Sequence, residues 1–83
     1  MRIYMQSSDY AESVPKYVQL VLQQDLLGGW TLISESGRQS GRGRIKNQHF
    51  ETHEQAMDAL LDLRDKNLAK GFQVVFFQGE MNE

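Results

Sequence analysis

Apolar and polar residues alternate along most of this chain, and the alternation gives way once to a helical period. In residues 2–6, Ile3 and Met5 fall on one side and Tyr4 on the other, the period-two pattern of a strand. Residues 7–15 are mostly polar and end in the only proline. They read as a loop, with Val14 held extended by the ring that follows. In residues 16–24, Val18, Leu20 and Leu22 point one way, against Tyr17, Gln19, Val21 and Gln23. One apolar and one mixed face suit an antiparallel sheet with one solvated side. Residues 25–29 form a turn ending in Gly28 and Gly29, since glycine supplies the left-handed conformations of tight reversals. Residues 30–34 alternate again, with Trp30 and Leu32 together. Residues 36–43, rich in glycine and basic side chains, read as a hairpin loop, and residues 44–50 as the returning strand.

The helical period occupies residues 52–70. Thr52 is a suitable N-cap and Gln55 completes a capping box. Ala56, Met57, Leu60, Leu61, Leu63 and Leu68 form the apolar stripe, and Gly71 stands where a helix closes. Residues 72–77 read as a short apolar strand, and residues 78–83 as a flexible tail. The order is β-β-β-β-α-β. The predicted fold is α+β, an antiparallel sheet of four to five strands with one long helix packed on one face.

Length allows one domain, residues 1–83, because 83 residues leave no room for a second core. A hydrophobic content of 40% is ample for a packed core. The chain has no cysteine, which removes disulfides and thiolate metal sites. No leader or membrane-length apolar run is present, so a cytoplasmic protein without membrane contact is expected. The net charge of −2 gives no global attraction to nucleic acid.

Charge is nevertheless unevenly placed. Residues 36–49 contain Arg38, Arg42, Arg44 and Lys46 and no acid, while the other five basic residues share the chain with all eleven acidic ones. In a strand, Arg44, Lys46 and Gln48 share one face and Ile45, Asn47 and His49 the other. Arginine forks pair bidentately with phosphate oxygens. The backbone at Gly37, Gly41 and Gly43 leaves room for close approach. The residues expected to contact nucleic acid are therefore Arg38, Arg42, Arg44, Lys46 and Gln48. The competing reading is a solvated hairpin whose cations guard an edge strand.

Other candidates carry less. Trp30 is expected to anchor the core with its indole. His49 and His53 are four apart but straddle the helix start, so neither metal nor cofactor is expected. Glu54, Asp58, Asp62 and Asp65 read as a solvent face, with Asp62 and Lys66 paired at i,i+4. No nucleophile, P-loop or tuned base is assembled, so a non-catalytic module is expected. Phe72, Val74 and Phe76 should share one strand face, and Val75 and Phe77 the other. A single helix cannot cover both faces, which points to cover by the N-terminal segment, a protein partner or a homodimer.

Several of these residues together resemble the WGR family: Gly29-Trp30-Thr31-Leu32, then Ser36-Gly37-Arg38, glycines at 41 and 43, Phe50, a helix carrying Glu54 and Ala56, and Lys70-Gly71-Phe72. The resemblance extends over nearly the whole chain. It implies a curved antiparallel sheet with one packed helix. WGR domains occur in DNA-dependent poly(ADP-ribose) polymerases and in bacterial proteins related to a molybdate-metabolism regulator. In the polymerases the domain helps bind a broken DNA end: the signature tryptophan packs on a terminal sugar, and the signature arginine bridges DNA to neighbouring domains. Here Ser36 stands at the tryptophan position, while Gly37 and Arg38 match. The expectation is weak binding of DNA, RNA or phosphate through residues 38–46, with a protein-interaction or dimerisation module as the alternative.

Overall fold

The computed structural model describes residues 1–7, 15–39 and 41–79. Its elements are β1 (Arg2–Ser7), β2 (Lys16–Gln24), β3 (Trp30–Arg38), β4 (Arg44–Phe50), α1 (His53–Ala69) and β5 (Phe72–Gln78). The strands form one five-stranded sheet in the order β4-β3-β2-β1-β5. Every neighbouring pair is antiparallel. The first four strands form a meander. The helix then carries the chain from the β4 edge across one face to the β5 edge, so it lies diagonally over the sheet.

The helix ends where its chemistry dictates. Thr52 Oγ1 accepts from the Gln55 backbone N–H at 3.1 Å, satisfying one of the first-turn donors. At the other end Gly71 has φ +101°, a left-handed conformation that costs glycine nothing, and its N–H donates to Leu68 O at 3.1 Å. Ala56 and Leu60 are buried against Ile3, Met5, Val18, Leu20, Leu22 and Leu32 of the sheet, with Met57, Ala59, Leu63, Trp30, Phe50 and Phe72 packed around them. Trp30 joins this core as expected and meets the His53 ring edge-on, with centroids 4.5 Å apart. Leu68 departs from the expected stripe. It is exposed, five residues beyond Leu63, the last helix residue packed on the core. Asp62 and Lys66 pair at 3.4 Å.

The strands depart from the expected pattern in several places. Residues 36–38 are not loop: Ser36, Gly37 and Arg38 continue β3, opposite Val18, Tyr17 and Lys16 of β2. The nine-residue β2 supplies a full ladder, and backbone pairing outweighs the loop-like composition. A second departure concerns β5. Val75 has no partner where Tyr4 pairs with Phe76 and Met5 with Val74. Such a bulge reverses the alternation beyond it. Phe72, Val74 and Phe77 therefore lie on the helix side, and Gln73, Phe76 and Gln78 on the opposite side. Of the expected loop at 7–15, Ser7 belongs to β1, and residues 8–14, including Val14, lie outside the described residues, as do residues 80–83 of the expected tail. Gln78 belongs to β5 rather than to a tail.

The face away from the helix carries Tyr4, Tyr17, Val21, Ile33 and Ile45. Tyr4 and Tyr17 stack with centroids 6.0 Å apart. No described element covers this face. Among the described residues, no helix is long and apolar enough to cross a membrane.

Candidate nucleic-acid interface

The β3–β4 hairpin places the basic residues. Ser36 pairs with Arg44, Ser34 with Lys46 and Leu32 with Gln48. Cross-strand partners share a face. Arg44, Lys46 and Gln48 thus lie on the side of Leu32, which is the helix side, and Arg38 follows by alternation along β3. Because the helix crosses diagonally, it starts beyond Phe50 and leaves the Arg44 end of this hairpin open. Arg42 and Arg44 line a groove of about 420 Å³ with Ser36, Gly37 and Gly43. Arg38 lines a second groove of about 270 Å³ with Lys16, Tyr17, Ser36, Gly37 and Phe72. Ser36 and Gly37 belong to both, so the two grooves meet at these two residues.

Lys16 was missed in the sequence. It lies 22 positions from Arg38 in the chain, and only the β2–β3 register sets the two opposite each other. The strand pattern gave a signal, since residue 16 shares the face of Val18, but not the partner. Gln48 stands apart. It is half-buried beside Leu32, roughly 13 Å from Arg44 along the strand, and lines neither groove.

Among the described residues, no carboxylate lies within ion-pair distance of Arg42, Arg44 or Lys46; the ion pairs there join His49 to Asp25 at 2.8 Å and to Glu51 at 4.0 Å, Arg64 to Asp65 at 2.8 Å and Lys66 to Asp62 at 3.4 Å. The nearest acid in sequence, Glu35, points to the opposite face. It accepts a hydrogen bond from the Tyr17 hydroxyl at 2.7 Å. That bond first, then desolvation and the Glu35 and Tyr4 charges, raise the Tyr17 phenol above its ordinary value. The hairpin therefore has two unlike faces, cationic on the helix side and carboxylate-bearing on the other.

The glycines serve this arrangement by close approach. A Cβ on Gly37 would lie 2.9 Å from the Gly43 Cα and 3.2 Å from the Arg42 carbonyl oxygen. A Cβ on Gly43 would collide with the Tyr17 hydroxyl and lie 2.8 Å from Glu35 Oε2. Gly41 is open, with nothing within 4 Å of its notional Cβ, and its N–H is spent on Arg38 O at 3.1 Å. What Gly37 and Gly43 do is let the two strands and the Tyr17–Glu35 pair close together. Among the described residues, no group of three or more His, Cys, Asp or Glu side chains could hold a metal.

A thin antiparallel sheet, backed by one helix and presenting a cationic hairpin, is the architecture of a small binding module. Comparison with family models makes this specific: the WGR domain model matches residues 1–77, and the chain belongs to the WGR family. WGR domains are modules of the nucleic-acid-binding type. Comparison with curated proteins and with solved structures gives no significant match.

Proposed function

We propose that this chain binds nucleic acid weakly, with duplex DNA the first candidate, by phosphate contacts on the helix-side face of the β3–β4 hairpin. The carrying observation is that Arg42 and Arg44 line one groove, with Lys46 two positions along the same face and, among the described residues, no carboxylate within ion-pair distance of the three; Arg38 and Lys16 lie on that face too. The phosphate backbone is the ligand this chemistry fits, because guanidinium forks match its oxygens. Glu35 disfavours approach from the other face. With Ser36 in place of tryptophan there is no π-face for a sugar or base at this position, so the contact is electrostatic and indifferent to sequence. The acidic remainder of the chain repels DNA away from the hairpin, which keeps the footprint small and the affinity low.

Four phosphate contacts made by these five cations imply a log–log slope of affinity against salt of roughly −3.6 for duplex. Between 50 and 200 mM salt that is a loss of roughly a hundredfold. Fluorescence anisotropy with a labelled duplex checks this. The Arg42→Ala/Arg44→Ala double variant should flatten the slope by roughly 1.8, while Arg64→Ala, whose guanidinium is already paired with Asp65, should leave it unchanged. No binding at low salt, or equal slopes for the double variant and the unaltered chain, refutes the proposal. Dimerisation, the alternative function, rests on β5 at the opposite edge and does not compete for the hairpin.

A further inference from the structure

The two edges of the sheet are protected unequally. β4 carries Arg44 and Lys46, cations of the kind that keep an edge strand from pairing with another chain. β5 has the sequence Phe72-Gln73-Val74-Val75-Phe76-Phe77-Gln78, with no charge and no proline. It pairs with β1 on one side, and no described strand pairs with its other side. Val74, Val75, Phe76 and Phe77 are 44%, 58%, 48% and 42% exposed. A neutral apolar edge of this kind is a template for a further strand.

We infer that the occupant is a second copy of this chain, joined antiparallel through β5 to make one continuous ten-stranded sheet. A two-fold contact requires a surface complementary to itself, and the bulge at Val75 decides which register of β5 meets that requirement. A two-fold axis between Val75 and Phe76 sets Gln73 opposite the partner's Gln78, Val74 opposite the partner's Phe77 and Val75 opposite the partner's Phe76. Gln73 and Gln78 both lie on the face away from the helix, and Val74 and Phe77 both on the helix side, so faces match across the join as antiparallel pairing demands. Without the bulge, Val74 and Phe77 would lie on opposite faces and this pairing would be forbidden. An axis through Val75 itself would set Gln73 against Phe77, on opposite faces.

Charge and area agree with this occupant. Each copy carries a net charge of −2, but β5 itself is neutral, so the join brings no like charges together. Pairing through β4 would instead bring Arg44 and Lys46 of both copies, four positive charges, to one join. The four exposed side chains offer on the order of 400 Å² per copy, about 800 Å² for the pair, and the main-chain atoms of the joined edges add to that. That is an upper bound, since side chains above and below the sheet are only partly covered by edge pairing, and it sets the join at the small end of specific interfaces, the size of a reversible contact. The β5 join and the hairpin lie on opposite edges of the sheet, so neither requires the other.

Sedimentation equilibrium on the full chain tests it. The expected result is a monomer–dimer equilibrium, weakened roughly tenfold or more by Val75→Lys, which sets two ammonium groups near the axis. Arg44→Ala/Lys46→Ala, on the other edge, should leave it unchanged. Val75 is the most exposed of the four, and circular dichroism establishes that the lysine variant is folded. The register has its own readout, since the chain lacks cysteine. Gln73→Cys/Gln78→Cys should oxidise to a covalent dimer, and either single variant should not. A monomer at the highest soluble concentration overturns the inference. So does a dimer indifferent to Val75→Lys, or a double-cysteine variant that stays monomeric on oxidation.

Discussion

Gly37 and Gly41 lie four residues apart in one hairpin, and the same substitution should move stability in opposite directions at the two. Neither has a positive φ, so alanine meets no backbone strain at either. At both, alanine restricts the unfolded chain and so stabilises by about 0.4–1 kcal/mol. The difference lies in what the new methyl meets. At Gly41 it meets nothing within 4 Å, and the entropic gain stands alone. At Gly37 it meets the Gly43 Cα at 2.9 Å and the Arg42 carbonyl oxygen at 3.2 Å, well inside the roughly 3.5–4.0 Å of an ordinary carbon contact. Both neighbours are backbone, so β3 and the start of β4 must part, and no side chain can swing aside to relieve the clash. Forced insertion of this kind costs about 1–3 kcal/mol. Taking the middle of that range and subtracting the entropic gain leaves Gly37→Ala destabilised by about 1–1.5 kcal/mol. For a domain of this size that lowers Tm by roughly 4–12 °C, while Gly41→Ala should raise it by a few degrees. Thermal unfolding followed by circular dichroism, both variants beside the unaltered chain, makes the comparison. Equal shifts, or a Gly37→Ala protein as stable as the starting one, would refute the claim that close strand approach fixes glycine at 37.

The Tyr17–Glu35 pair predicts a pH response. The folded state favours the neutral phenol, so this contribution is present below the ordinary tyrosine value of 10.0 and is lost as pH rises through the higher value of Tyr17 in the fold. Glu35→Ala should bring the Tyr17 titration, followed by phenolate absorbance, back toward 10.0; an unchanged titration would mean that the hydrogen bond is not its main cause. Ser36→Trp tests what the missing aromatic does. Ser36 is exposed where the two hairpin grooves meet, so a ring there can reach a bound nucleotide. Stacking at the scale of about 1–3 kcal/mol should tighten binding to a duplex with free ends, with closed circular DNA as the comparison. Equal affinity for the two would show that residue 36 does not touch the terminus.

Much of the fold was legible along the chain, for a local reason. Period-two alternation marks β2 and β4 at their observed limits, because a half-covered sheet sorts apolar and polar residues within each strand. Thr52, the apolar repeat and Gly71 bound α1 to within a residue, because caps and periodicity act over one or two turns. The clustering of Arg38, Arg42, Arg44 and Lys46 was equally visible, since they share one hairpin. Pairing between strands decided the rest, and no local pattern encodes it. The β2–β3 register drew Ser36, Gly37 and Arg38 into the sheet and set Lys16 beside Arg38. The fold of Tyr17 and Glu35 over Gly43 separated the hairpin's cationic face from its carboxylate. One unpaired residue, Val75, exchanged the faces of Phe76 and Phe77. A strand's own sequence determines which residues alternate, but the partner strand determines where the count slips, and so which face each side chain finally occupies.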